Sequence, residues 1–421
     1  VNTPHPSHVV VIRNANLLDP LKSELQGRHD ILIENGEISR VSREAIDAPG
    51  SALVIDAGGR TVMPGLIDLH VHVIATQLNL SAQVSMPNVL ITLRSVPIME
   101  AMLRRGFTTV RDAGGAGDAF KQSMDAGLVK GPRLFVSGRA LSQTGGHGDM
   151  RARSDFIGLD APCPCCARVG ALARVVDGVD ALRKAVREEL QMGADQIKVM
   201  ASGGVASPTD PVGAWGYSED ELCAVVHEAR ARGTYVLAHA YMPDAIMRAV
   251  RCGVRTIEHG NLVDDEAAAV MAEHGAYAVP TLVTYDALAS EGADLGLPQA
   301  SVEKVANVRE EGLKSLSIFK KAGVKMGFGT DLLGESHRLQ SDEFRLRTQV
   351  LSNQEVIASA TVIGAEILNQ QGRLGRLQPG AWADLLIVDG NPLEDVGCLL
   401  GQGEHIPLVM KQGVVQFNAL D

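Results

Sequence analysis

Short apolar runs alternate along this chain with stretches whose apolar positions recur every three or four residues. Between Val9 and Val62 the runs are brief. Val9–Ile12, Ile31–Ile33 and Ala52–Ile55 have the length and β-branched content of strands. Asn35-Gly36 is a hairpin dipeptide, since both residues accept positive φ, and Gly58-Gly59 closes the last run. From Met63 the texture changes. Strand-like runs fall at Gly65–His72, Thr108–Asp112, Arg133–Ser137, Gln196–Met200, Tyr235–His239, Thr256–His259, Tyr277–Thr281 and Lys325–Thr330. Helix-patterned segments rich in Ala, Leu, Arg and Glu separate several of them, among them Val179–Met192 and Glu219–Arg232. After Gly372 the β texture returns, with a strand and turn through Trp382–Pro392 and a strand pair about Gly413 within Val409–Phe417.

Alternating strands and helices predict parallel pairing with crossover helices. Eight such strands predict an α/β chain whose main body is a (β/α)8 TIM-type barrel over residues 63–371. The two terminal β segments are each too short to enclose a core. They predict one discontinuous β-sandwich domain, residues 1–62 and 372–421. An open doubly wound sheet is the competing architecture, but no G-x-G-x-x-G follows an early strand.

Composition narrows the function classes. The chain has 421 residues, 45% hydrophobic and 21% charged, ordinary for a globular protein. Its net charge of −11 offers no electrostatic footprint for nucleic acid or an anionic membrane, so neither is expected as a partner. No apolar run reaches membrane-spanning length. The start shows no basic segment leading into an apolar one, yet the first residue is Val1. The compartment is therefore left open: cytoplasmic, or periplasmic or secreted after removal of an upstream segment. Six cysteines do not make a disulfide scaffold. Cys223, Cys252 and Cys398 read as buried small apolar side chains. Cys163, Cys165 and Cys166 cluster between prolines; the C-x-x-C they contain lacks a second pair for zinc and reads as loop thiols, with a redox role as its rival.

The candidate chemistry sits at strand ends. His70 and His72, two apart on the first strand, point to the same side and can converge on one ion. Lys198 lies between Ile197 and Val199, a costly place for an uncompensated ammonium. His239 ends the fifth strand, His259 the sixth, and Asp331 follows the eighth. One such residue is a weak signal. Six of them at the ends of strands 1, 4, 5, 6 and 8 lie where barrel enzymes build their sites. His147 stands among glycines in Gly145–Asp149 after strand 3, accessible to a ligand. Tyr241 lies two residues beyond His239, and His337 a few beyond Asp331. Other motifs fail: His227-Glu228 lacks the second histidine of a helical zinc-protease motif, Ala231 standing in its place, and no G-x-S-x-G or Walker loop occurs.

This constellation resembles the amidohydrolase superfamily over nearly the whole chain, through Pro64-Gly65-Leu66-Ile67-Asp68-x-His70-x-His72, the Gly329-Thr330-Asp331 turn, and Gly372–Gly375 through Pro379–Leu385. It is most similar to the branch of imidazolonepropionase and the Xaa-Pro dipeptidase-like carboxypeptidases. That branch includes enzymes releasing C-terminal amino acids from dipeptides, N-acyl amino acids and, in some members, ochratoxin A. The resemblance implies two divalent metal ions, zinc by its donor set. His70, His72 and Asp331 would hold one, His239 and His259 the other, and Lys198, carboxylated on its amine, would bridge them. Asp331 would also be the catalytic proton carrier for water activated by the metals. His147 would act on the substrate carbonyl or carboxylate, Tyr241 would bind the substrate α-carboxylate, and His337 would line the pocket. A small-molecule or peptide-like substrate with a free carboxylate and a homo-oligomeric assembly are implied as well. The alternatives are a cyclic-amide, lactone or phosphotriester hydrolase on the same barrel, or a scaffold that lost its chemistry.

Overall fold

A computed structural model describes residues 9–151, 169–207, 210–294 and 299–420. Cys163, Cys165 and Cys166 lie outside the described residues. The chain opens with β1 (Val9–Leu17), β2 (Arg28–Glu34), β3 (Glu37–Ser42), β4 (Leu53–Asp56) and β5 (Thr61–Pro64). β2 and β3 form the hairpin expected at Asn35-Gly36, whose φ values of 53° and 81° match the right-handed twist of the flanking strands.

The central strands are β6 (Leu66–Val71), β7 (Phe107–Asp112), β8 (Arg133–Val136), β9 (Ala140–Ser142), β10 (Ala173–Val175), β11 (Ile197–Met200), β12 (Val236–Ala240), β13 (Thr256–His259) and β14 (Tyr277–Val279). They form two parallel sheets, one in the order β6-β7-β8 and one in the order β10-β9-β11-β12-β13-β14. The short strands β9 and β10 are additions within what reads from sequence as a loop. They are too brief for a periodic signal.

The expected eighth strand, Lys325–Thr330, is not a regular strand. It makes one isolated bridge, Ala278 to Met326. Its backbone is nevertheless shared between both neighbours. Gly327 N–H donates to Ala278 O at 2.8 Å, Leu69 N–H donates to Phe328 O at 2.8 Å, and Asp331 N–H donates to His70 O at 2.7 Å. The ladder is interrupted because Phe328 N–H turns instead to Ser359 O, and because Gly327 and Gly329 are pressed against Leu69, Val279 and His70, with no room for a Cβ.

The remaining strands, β15 (Leu385–Val388), β16 (Leu408–Lys411) and β17 (Val414–Asn418), join the first five. The result is one eight-stranded sheet in the order β17-β16-β15-β5-β1-β2-β3, with β4 on β1. The two chain ends meet where β15 runs antiparallel to β5. This sheet has its own apolar core around Ile12, Ile31, Val62, Leu385 and Met410. Arg133 fastens it to the parallel sheets through Asp384 at 2.5 Å and by stacking on Trp382.

Helices cover the parallel strands. The helix Glu219–Ala231 starts at Ser218, whose N–H donates to Glu221 at 3.0 Å, and carries three acids in its first turn, the favourable end of the dipole. Here the reading of Cys223 and Cys252 as buried small apolar side chains is corrected: Cys252 is buried, but Cys223 is exposed. They form a disulfide, with Cα atoms 4.8 Å apart, joining this helix to the end of the helix Pro243–Arg251. Nothing local marks the pair, since packing of the two helices brings together residues 29 apart in sequence. Cys398 is a free, partly buried thiol. Among the described residues no helix is long and apolar enough to cross a membrane.

Candidate metal centre

The chain reaches its candidate site along β6. Alternation on the strand puts His70 and His72 on one side. Each ring already uses Nδ1: His70 with Glu258 Oε2 at 2.7 Å, His72 with Gly114 O at 2.8 Å. Both acceptors are oxygens, so in the neutral rings Nδ1 carries the hydrogen and Nε2 keeps its lone pair. At His72 burial works against a charge, but the hydrogen bond and charge of Asp331 outweigh it and raise the ring above the ordinary imidazole value. The two Nε2 atoms lie 3.4 and 3.2 Å from Asp331 Oδ1. Asp331 sits at φ 52°, a left-handed turn that swings its carboxylate over the end of β6. It remains 21% exposed while the histidines are buried, so solvent reaches the cluster from the carboxylate side. Ligand atoms of all three residues lie within 4.8 Å of one another. Two free imidazole nitrogens and a carboxylate oxygen aimed at one spot fit a divalent metal of the zinc type.

His259 and His239 extend the cluster. A regular strand would send Glu258 and His259 to opposite faces. His259 has φ 71°, and this break turns both inward. Its ring lies 4.9 Å from that of His70 and 4.6 Å from that of His239. Burial holds His70, His239 and His259 well below the usual imidazole value, and the Lys198 ammonium pushes all three the same way. Lys198 itself is 1% exposed and makes no side-chain hydrogen bond or ion pair among the described residues. Burial lowers its amine to about 8, only partly opposed by the Glu258 and Asp331 charges.

Further residues have no distinguishing motif. Glu258 and Arg111 are both wholly buried and paired at 2.8 Å. Their sequence signal is weaker than that of Lys198, since Arg111 stands between Val110 and Asp112 and Glu258 between Ile257 and His259. His147 is held by a group drawn from another loop. Its Nδ1 lies 2.5 Å from Ser207 Oγ and 3.4 Å from Asp210 Oδ2, and Ser207 donates in turn to Asp210. Its ring stacks on His239 with centroids 4.3 Å apart. Lys304 ties that second loop down through Gly204 O, Ser207 O and Asp210 O at 3.2, 2.9 and 2.6 Å. Tyr241 is buried beside His239, and its hydroxyl meets that of Tyr285 at 2.7 Å. His337 lies on a short 3-10 helix, where Nε2 contacts Ala75 O at 3.1 Å. Burial lowers it to about 3, so the ring is neutral and donates to that carbonyl. Glu228, of the failed protease motif, faces away, bound by Arg183 and Arg187.

Parallel strands that lead to two buried histidines and a partly exposed aspartate make a cluster that could hold a metal ion, placed where barrel enzymes build their sites. Residues 61–415 match the amidohydrolase family, and the chain belongs to that family; it is a hydrolase. It is 34% identical to the ochratoxinase of Aspergillus niger over 301 residues, which span 70% of this chain and 62% of that enzyme. Among solved structures, an amidohydrolase is 68% identical with a TM-score of 0.96, covering 98% of this chain and 100% of the other. A prolidase complexed with N-methylphosphonate-L-proline is 56% identical with a TM-score of 0.94, covering 97% and 99%.

Proposed function

We propose that the chain is a metal-dependent amidohydrolase that releases a C-terminal amino acid from dipeptides or N-acyl amino acids, ochratoxin A among them. In this reading the two parallel sheets and the 325–331 segment close as a (β/α)8 barrel over residues 63–371. The discontinuous domain 1–62 and 372–421 flanks it. The observation that carries the reading is the convergence of the Nε2 atoms of His70 and His72 on Asp331, with His239, His259 and the buried Lys198, which has no side-chain hydrogen bond among the described residues, around them.

Two divalent cations, zinc by the donor chemistry, would be held by His70, His72 and Asp331 and by His239 and His259. Lys198 would bridge them as a carbamate. A lysine amine lowered to about 8 is neutral often enough at mildly alkaline pH to take up carbon dioxide. When bound, such ions acidify water toward neutrality and polarise a carbonyl. Asp331 accepts the proton of the attacking water on its exposed carboxylate and hands it to the leaving amine as the C–N bond breaks. His147 has Nδ1 committed to Ser207, so its Nε2 is the nitrogen left to meet the substrate, and it orients a carbonyl or carboxylate when it carries a hydrogen to donate. Tyr241 and Tyr285 share one hydroxyl hydrogen between them and retain the other as a donor to the substrate carboxylate. The apolar residues around them, Leu78, Val205, Leu288 and Leu333, exclude water from the bound substrate.

The test is one digest followed by mass spectrometry. Zinc-loaded protein is incubated with a panel of dipeptides, N-acyl amino acids and ochratoxin A beside a chelated control. Release of C-terminal amino acids in the zinc arm alone is expected. Bound metal without cleavage of any of them would move the assignment to cyclic amides, lactones or phosphotriesters. Absence of both metal and cleavage would leave a non-catalytic scaffold.

A further inference from the structure

Glu258 has no part in the reaction described above, yet it is wholly buried and touches a proposed ligand. We propose that Glu258, held by Arg111, is a positioning residue. It sets the tautomer and donor strength of His70, and through them the affinity of the centre for a divalent cation. The inference rests on His70 being a metal ligand.

The two oxygens of Glu258 have separate tasks. Oε2 accepts from His70 Nδ1–H at 2.7 Å. Oε1 accepts from Arg111 at 2.8 Å and from the Thr256 hydroxyl at 2.5 Å. The guanidinium is itself immobilised: Nε donates to Leu69 O at 2.6 Å and a terminal nitrogen to Thr256 Oγ1 at 3.2 Å. Arg111 on β7 thus supplies the charge that a carboxylate with no exposure requires, while Leu69 and His70 on β6 hold the other ends of the same network. The arrangement allows one tautomer of His70, with the proton on Nδ1 and the lone pair on Nε2.

The neighbouring histidine is the internal comparison. His72 makes the equivalent Nδ1 contact to a neutral backbone carbonyl, Gly114 O. One imidazole of the His-x-His pair therefore leans on a charged carboxylate and the other on a peptide. A carboxylate behind an imidazole raises its basicity toward a metal and fixes the ring's direction. A glutamine could not replace it. Its single acceptor oxygen would leave either His70 or the Arg111–Thr256 pair facing an amide NH2.

The rival explanation is structural: the Arg111–Glu258 pair would merely fasten β7 to β13. Zinc affinity of the stripped apoprotein, measured against a chromophoric chelator, separates the two. Glu258→Gln is expected to bind zinc about 10- to 100-fold more weakly than wild type. Because that variant leaves Arg111 buried without its counter-ion, the double variant Arg111→Met/Glu258→Gln removes both charges and is the better-folded probe. It is expected to keep the apoprotein's circular dichroism and still lose the affinity. Wild-type affinity in either folded variant overturns the inference and leaves the pair structural. Zinc uptake too weak to measure in the wild type would instead sink the metal-centre reading itself. Wild-type protein labelled with 15N at its histidine nitrogens gives a readout independent of folding: the His70 resonance, assigned with His70→Asn, should report the Nδ1–H tautomer, and an Nε2–H tautomer overturns the inference.

Discussion

Gly204→Ala tests the placement of His147 by steric means alone. A Cβ built on Gly204 overlaps Cε1 and Nδ1 of the His147 ring and lies 2.6 Å from its Nε2, where carbon contacts need about 3.5 Å or more. Relief therefore requires a shift of about 1 Å. The ring cannot retreat along its normal, because His239 is stacked on it with centroids 4.3 Å apart. The loop cannot retreat either. Gly204 N–H is bonded to Asp210 at 2.7 Å, and Lys304 grips three of the loop's carbonyls. Such overpacking costs about 1–3 kcal/mol of stability. A 1 Å displacement of a substrate-orienting group costs about 100-fold in rate, or about 2.7 kcal/mol of transition-state stabilisation. The assay is kcat/KM for an N-acyl amino acid with zinc-loaded protein, beside metal content and a thermal melt. Gly213→Ala is the control, since a Cβ there meets nothing within 4 Å. A Gly204→Ala protein that is folded, fully metallated and within about threefold of wild-type kcat/KM would refute the role given to His147.

Asp331→Asn should lower kcat by about 100-fold or more while retaining metal, since an amide oxygen can still ligate but cannot carry the proton; wild-type turnover would remove Asp331 from the chemistry. Lys198→Arg cannot be carboxylated, so metal per chain, read by elemental analysis, should fall below the wild-type value; unchanged stoichiometry would deny Lys198 a bridging role. Reduction of Cys223–Cys252, or the double change to serine, should cost about 3–4 kcal/mol for a loop closed over 29 residues, and a melting temperature indifferent to reductant would show that the bridge does not form in solution. Arg187, then Arg183, hydrogen-bond Glu228 and hold its carboxyl below the ordinary value. Its contribution is therefore present above the ordinary carboxylate range and lost as the pH falls through the lowered folded value. Glu228→Gln should be less stable than wild type at pH 7 in urea unfolding, with the gap closing in strong acid; a gap independent of pH would contradict this.

Much of the plan was legible because it is local. The brief β-branched runs and the Asn35-Gly36 turn specify the terminal strands through neighbouring residues alone. The His70-x-His72 spacing places two rings on one side of a strand wherever that strand ends up. Lys198, flanked by Ile197 and Val199, announces a buried charge before any fold is known. The family motifs near both ends extend that reading across the chain.

What remained was decided by groups that meet only after folding. Glu258 lies 188 residues from the ring it supports, and only the stacking of β6, β7 and β13 brings His70, Arg111 and Glu258 together. The positive φ of His259 turns two successive residues of β13 inward, against the alternation a sequence pattern assumes. Ser207, Asp210 and Lys304 carry no motif and become a support for His147 because a helix and a loop pack over the strand ends. The disulfide likewise follows from two helices lying side by side. Sequence by itself determined which residue types stand at strand ends, because backbone geometry repeats every two residues. Tertiary structure decided their proton positions, their partners and their charge environment, because those depend on distances of about 3 Å between segments that share no local geometry.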